Sequence, residues 1–281
     1  MRYGAHAFVW VGEWTTENGN YAIAEAARVG FDFIEIPLLE PDKFDAASHK
    51  RALDDAGITA TCSLTLTRET HMPTNPEGAR RFLLGAMDKL AVLGCTYLTG
   101  CLTYNLGTLT GAPPTARERQ TIIDTMKLVA ADAADRGIML ALEACNRYET
   151  HLYNTLADAR DTLLAVGADN FKLHADTYHM NIEEEGFYNP LVAAADVLDY
   201  IHMSESHRGL VGSGTVNWDE VWRGLAAANF QGMLVLESFA AVNPALAAAT
   251  CIWRPPNRPS EVLAREGLAF LKDGATRYGL A

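Results

Sequence analysis

The chain has 281 residues, 49% hydrophobic and 21% charged, the composition of an ordinary globular protein with material for a large core. Its formal net charge of −12 disfavours nucleic acid as a partner, because a phosphate-binding surface calls for an excess of Lys and Arg. The N-terminal MRYGAHAFVW has no long apolar stretch and no segment suits a membrane span, so neither a signal peptide nor a membrane association is expected, and the cytoplasm is the default compartment.

Strand-like and helix-like patterns alternate along the whole chain. The first strand is expected from Tyr3 to Trp10 and a helix from Thr16 to Val29. FDFIEI (Phe31 to Ile36) reads as the second strand, followed by a helix over Ala46 to Ala56, and ITATCSL (Ile58 to Leu64) is the third strand. Asn75 and Pro76 open the third helix, since Asn caps free amides and Pro lacks the N–H that would go unpaired there. That helix stops at Gly94 and TYLTG (Thr96 to Gly100) follows as the fourth strand. The fourth helix begins at Thr115 with a capping-box pattern to Glu118, keeps Ile122, Met126, Val129 and Ala133 on one face, and ends at Gly137.

The fifth strand leads to Glu143 and its helix spans Thr155 to Val166. The sixth strand ends at Asp176, a short helix is expected near Pro190, and the seventh strand leads to His202. A helix over Trp218 to Ala228, a last strand to Glu237 and a closing helix over Ser260 to Tyr278 complete the pattern. Glycines 30, 57, 94, 137 and 167 follow helices, as left-handed caps do. Eight strand–helix units with no linker predict a single-domain (β/α)8 barrel, an α/β fold over residues 1–281, with its active site on the βα loops. The cysteines Cys62, Cys95, Cys101, Cys145 and Cys251 are odd in number and form no CxxC pair, so reduced, mostly buried thiols are expected.

Four polar residues close apolar runs at successive strand ends: MLALE at Glu143, FKLHAD at Asp176, YIH at His202 and MLVLE at Glu237. They are spaced by roughly one strand–helix unit, about 30 residues, so each βα unit offers one ligand at the same end of the sheet. Alternation along the strands places Met139, Ala141 and Glu143 on one face, and Lys172, His174 and Asp176 on one face, with Phe171, Leu173 and Ala175 opposite. A lone Glu or Asp there would order a loop, and a lone His would be a core residue. Three carboxylates crowded at one barrel mouth would repel without a cation, so the four together point to a divalent metal such as Mn²⁺ or Mg²⁺.

Three segments carry a family resemblance. Glu143-Ala-Cys-Asn-Arg-Tyr-Glu-Thr150, Asp176-Thr-Tyr-His-Met-Asn-Ile-Glu-Glu184 and His202-Met-Ser-Glu-Ser-His-Arg-Gly209 resemble the E-x-x-N-R-[FY]-E, D-T-[FY]-H-M-N-I-E-E and H-x-x-E-x-x-R-G segments of ketose 3-epimerases, and Leu236-Glu-Ser-Phe239 resembles their last strand. The resemblance covers nearly the whole chain. It implies C3 epimerisation of free ketoses such as D-fructose/D-allulose, D-tagatose/D-sorbose and L-ribulose/L-xylulose. It further implies Glu143, Asp176, His202 and Glu237 as ligands of Mn²⁺, with Mg²⁺ or Co²⁺ as substitutes, and Glu143 and Glu237 as the catalytic pair. Glu149, His179 and Arg208 would hold the O1–O3 region of the sugar, with His179 on the βα loop. Homodimers or homotetramers are also implied.

The chemistry agrees with that set. Inverting C3 requires removal of a weakly acidic proton next to the C2 carbonyl, stabilisation of the resulting cis-enediolate, and return of a proton to the other face. Two carboxylates flanking one cation meet that need. His6, where tyrosine is commoner in the family, joins the substrate residues, and Trp10, Trp14, Leu106 and Trp253 are candidates to line the pocket. No Gly-rich phosphate loop is evident, which disfavours a phosphorylated substrate. The alternatives are an aldose–ketose isomerase or an inosose dehydratase on the same barrel, a metal-dependent endonuclease, and a barrel that only binds sugar.

Overall fold

The computed structural model describes residues 1–240, 243–254 and 258–280. Eight parallel strands close into a barrel in chain order. They are β1 (Arg2–His6), β2 (Phe33–Pro37), β3 (Thr59–Thr65), β4 (Tyr97–Cys101), β5 (Met139–Glu143), β6 (Phe171–Asp176), β7 (Leu198–Ser204) and β8 (Met233–Glu237). Around them run α1 (Thr16–Val29), α2 (Ala46–Ala56), α3 (Pro76–Leu93), α4 (Ala116–Ala134), α5 (Leu156–Val166), α6 (Thr177–Glu183), α7 (Tyr188–Ala193), α8 (Trp218–Ala227), α9 (Pro244–Thr250) and α10 (Ser260–Arg277). The expected α/β barrel is therefore the fold. Among the described residues no helix is long and apolar enough to cross a membrane.

Local chemistry sets the helix ends. The side chains of Thr15, Asp45 and Asn75 accept the backbone N–H groups of Asn18, Ser48 and Gly78, and Thr115–Glu118 and Thr155–Asp158 form reciprocal capping boxes. Each such cap stabilises its helix by about 1 kcal/mol. α4 departs from expectation. It closes on Asp135 in a right-handed conformation, and Gly137 takes up the left-handed position in the turn that follows.

Three other differences bear on the site. β1 stops at His6 instead of continuing to Trp10, because the His6 ring accepts the Phe8 N–H at 3.1 Å and turns residues Ala7–Val9 into a single 3-10 turn. β7 runs two residues past His202, since Ser204 still pairs with Glu237 on β8. The segment after Asp176 is not a loop but α6: the Asp176 Oδ1 caps it by accepting the Tyr178 N–H at 2.7 Å.

The main apolar core lies between sheet and helices, and a second, smaller cluster fills the bore: Phe33, Tyr97, Ala141, Tyr200 and Val235, with Met139 and Met233 against it. Gly4 makes room for this plug, because the Phe33 ring occupies the space a Cβ would need. Phe171, Leu173 and Ala175 face the helices, and Ala141 faces the bore, in keeping with the alternation expected of β5 and β6. An irregularity in the β6–β7 register between Leu173 and His174 then brings Asp176 level with His202.

Candidate active site

Above the plug, the C-terminal ends of β5 to β8 bring Glu143, Asp176, His202 and Glu237 together. The ligating atoms of Asp176, His202 and Glu237 lie within 4.8 Å of one another. His202 Nδ1 is 3.5 Å from Glu237 Oε1 and 3.9 Å from Glu143 Oε1. All four side chains are buried, and His202 Nδ1 is one of the few buried polar atoms without a hydrogen-bond partner among the described residues. An imidazole nitrogen facing carboxylates fits a divalent cation that would displace its proton, and the donor set of three oxygens and one nitrogen suits Mn²⁺ or Mg²⁺.

The electrostatics show what that crowding costs. Burial pushes the Glu143 carboxyl well above the usual range, and neighbouring Cys145, Asp176 and Glu237 add to it against the opposing pull of His202. Burial also raises Asp176, only partly offset by Arg208. For His202, burial favours the neutral ring, but Glu35, Glu237 and Glu143 outweigh it and hold the imidazole up at about 10. The Arg208 guanidinium supplies positive charge from the side: Nη1 donates to Asp176 Oδ2 at 2.8 Å and to Glu237 Oε2. Three carboxylates, this one guanidinium and a divalent cation would balance to zero.

Arg208 is held firmly. Its guanidinium lies 3.8 Å from the centroid of the Tyr178 ring and 5.3 Å from that of Phe239, and its backbone adopts φ 58°. Glu205 orders the loop that carries it, accepting N–H bonds from Ser206, Gly212, Val216 and the Trp218 indole.

His179, on α6, contributes a second nitrogen. Its Nδ1 accepts the Asn146 backbone N–H at 3.1 Å, and its Nε2 lies 3.2 Å from Arg208 Nη2, so donors meet both ring nitrogens. That Nε2 stands 3.5 Å from Asp176 Oδ2, 3.6 Å from Glu143 Oε1 and 3.9 Å from Glu149 Oε2. Burial drives the ring down to about 3, so it stays neutral. Glu149 accepts from Asn146 Nδ2 at 3.3 Å, and burial raises its carboxyl to about 7.

The remaining candidates separate. His6 sits one layer deeper, its Nε2 facing Glu35 at 3.6 Å and Ser63 Oγ at 3.5 Å. Trp253 is exposed and lines, with Tyr178, Arg208, His207 and Phe239, a cavity of about 510 Å³ at the mouth. Trp14 lines a different groove with Phe8, Leu39 and Phe44, its indole N–H bonded to His49. Trp10 packs edge-on against Phe31 at 6.0 Å in the core, and Leu106 is half-buried against the same core. The sequence reading assigned no role to Glu35, Tyr200 or Asn146. Glu35 had a signal, a lone carboxylate inside the apolar run of β2, but nothing local identifies its partner on a strand across the bore.

Comparison with known proteins agrees with this geometry. The family model described as "Xylose isomerase-like TIM barrel" matches residues 23–274. An L-ribulose 3-epimerase from Methylomonas sp. (strain DH-1) is 39% identical over 278 residues, 97% of each chain. The chain belongs to the xylose isomerase-like TIM-barrel family, among the ketose 3-epimerases. A second member, the ketose 3-epimerase of Arthrobacter globiformis, is 36% identical over 98% of this chain and 97% of its own. The crystal structure of a D-allulose 3-epimerase from Methylomonas sp. in complex with D-allulose superposes with a TM-score of 0.93 at 38% identity, covering 97% of this chain and 96% of that one. This family member is thus related over its full barrel to carbohydrate epimerases.

Proposed function

We propose that this protein is a metal-dependent 3-epimerase of free ketoses, with D-fructose/D-allulose, D-tagatose/D-sorbose and L-ribulose/L-xylulose as the candidate pairs. The observation that carries the reading is the convergence of Glu143, Asp176, His202 and Glu237 around one unpartnered imidazole nitrogen. The names of the related epimerases favour the same reaction.

Glu143, Asp176, His202 and Glu237 would hold the cation, Mn²⁺ by preference. When bound, it supplies positive charge that stabilises negative charge developing on the sugar's oxygens. Glu143 and Glu237 stand on non-adjacent strands, so a ketose seated between them presents opposite faces of C3 to two carboxylates. One removes the C3 proton and the other returns a proton to the opposite face. A carboxylate whose proton affinity is raised by burial, as at Glu143, is the stronger base for that step. His179 Nε2 and the Arg208 guanidinium are polar contacts for the oxygens of the O1–O3 region, and Glu149 is an acceptor for a hydroxyl. Burial of the whole cluster excludes water that would otherwise screen these charges.

The test is product analysis. The protein is incubated with D-fructose, D-tagatose and L-ribulose, with Mn²⁺ or with a chelator. Appearance of the C3 epimer only with metal supports the reading. Formation of an aldose would replace it with aldose–ketose isomerisation, and loss of water from the substrate would replace it with a dehydratase.

A further inference from the structure

A carboxylate of the protein lies deeper than any ligand and has no part in the chemistry above. Glu35 points from β2 into the bore and is fully buried. A bare ion there would be unfavourable by several kcal/mol unless it is met by donors. Three surround it. His202 Nε2 lies 2.7 Å from Glu35 Oε2, and the Tyr200 hydroxyl donates to the same oxygen at 2.6 Å. On the other side His6 Nε2 faces Oε1 at 3.6 Å.

The directions of these bonds are determined. His6 Nδ1 accepts the Phe8 backbone N–H, so its Nε2 carries the proton that faces Glu35. The Tyr200 hydroxyl lies 2.9 Å from Thr61 Oγ1, so with its own proton given to Glu35 it accepts from Thr61. Glu35 Oε2 already accepts from Tyr200, and a carboxylate only accepts, so His202 donates to it through Nε2. The opposite nitrogen, Nδ1, is the one that faces Glu143 and Glu237 and lacks a hydrogen-bond partner. One ring thus joins Glu35 on β2 to the metal-binding carboxylates above it.

We propose that Glu35 is a positioning residue for the metal site: by taking the Nε2 proton of His202 it fixes the ring so that the Nδ1 lone pair is presented to a divalent cation. Its action is indirect, through His202, with Tyr200 holding the carboxylate in place. Partners of this kind behind a ligating histidine orient the ring and strengthen its basicity. The inference rests on the metal-dependent reading of the site and is tested on binding, not turnover.

The experiment is Mn²⁺ titration of the full chain, followed by electron paramagnetic resonance of free Mn²⁺, with thermal melting of each metal-free protein. Glu35→Gln should weaken Mn²⁺ binding by roughly 10- to 100-fold. Tyr200→Phe perturbs the same layer but leaves the Glu35–His202 bond, and should change the affinity by less than about threefold, well below the effect expected of the ligand's partner itself. Glu35→Asp keeps the charge but withdraws it from His202. It should fall between the wild type and Glu35→Gln, and it serves if the Gln variant does not fold. Wild-type affinity in both Glu35 variants would overturn the inference, as would losses in the Tyr200 and Glu35 variants that simply track melting temperature. Failure of the wild-type protein to bind Mn²⁺ at all would instead remove the functional reading and this inference with it.

Discussion

The backbone N–H of Asn146 donates to Nδ1 of His179 at 3.1 Å, and with Arg208 Nη2 at 3.2 Å from Nε2 it fixes the ring between the two sides of the site. The side-chain amide of Asn146 reinforces it, with Nδ2 at 2.8 Å from the same nitrogen. His179 is therefore a neutral ring held in place as a proposed substrate contact. Replacing it with Phe, which keeps the ring but has no N–H, should lower kcat/KM by on the order of 10²-fold, the usual effect of losing one preorganised donor. Steady-state kinetics with the preferred ketose checks this, and a loss below about threefold would remove His179 from the substrate contacts.

Arg208 makes two opposed predictions. Its guanidinium shares Asp176 and Glu237 with the proposed cation. Arg208→Ala should lower kcat/KM by at least about 10²-fold through loss of a charged donor. It should also tighten Mn²⁺ binding, because two ligand carboxylates lose a competing positive charge. Arg208→Lys should recover little activity, since a lysine cannot reproduce the planar stack on Tyr178. Paired measurement of Mn²⁺ affinity and turnover separates these effects.

Metal affinity should rise with pH. Glu143 is raised by burial and its anionic neighbours, Glu149 is raised by burial to about 7, and His202 is held at about 10 by Glu35, Glu237 and Glu143 against burial. Each of these groups has a higher pKa in the folded chain than in the unfolded one. The metal-free site therefore keeps protons at neutral pH, and the stability they contribute is present at lower pH and fades as pH climbs through the folded values. A cation must displace the protons held by Glu143 and His202, so binding should strengthen from pH 6 to pH 9, by roughly tenfold per pH unit for each proton released. Calorimetry in buffers of different ionisation enthalpy counts them directly; no proton release would show that the ligands are already ionised in the metal-free protein.

Gly100 offers a test of the barrel itself. It is the penultimate residue of β4, at φ 101°, and a Cβ there would collide with the Leu64 carbonyl oxygen on β3. Gly100→Ala combines a left-handed backbone with a clash against main chain, which should destabilise by about 2–4 kcal/mol. At this chain length that is a fall of several degrees in melting temperature. An unchanged melting temperature would mean that β3 and β4 are less tightly joined than they stand here.

Much of this architecture was legible because its signals are local. Thr115 and Glu118 sit at capping-box spacing, Asn75 precedes Pro76, and Phe171, Leu173 and Ala175 alternate with His174 and Asp176; in each case neighbouring residues carry the information. The proposed ligand set has a local signal too, since Glu143, Asp176 and Glu237 each close an apolar strand, while His202 stands two residues before the end of β7. The Glu35–His202 bond was not legible, because it joins residues 167 positions apart and depends on barrel closure. The end of β1 at His6 was also hidden, since a side chain bonding its own backbone two residues on leaves the apolar pattern through Trp10 unchanged. α6 is hidden in the same way, since its cap is the strand-ending Asp176, which caps through Oδ1 and partners Arg208 through Oδ2.

The central claim is that Glu143 and Glu237 exchange the C3 proton of a bound ketose with the help of a divalent cation. The direct measurement is NMR of D-fructose and L-ribulose incubated in D₂O with the Mn²⁺-loaded protein, after metal removal from the sample, following deuterium at C3. Wild-type protein should introduce deuterium at C3 of both epimers, metal-free protein should introduce none, and Glu143→Gln and Glu237→Gln should each stop net epimerisation. Wild-type rates of epimerisation in either variant, or epimer formed without deuterium at C3, would contradict the account.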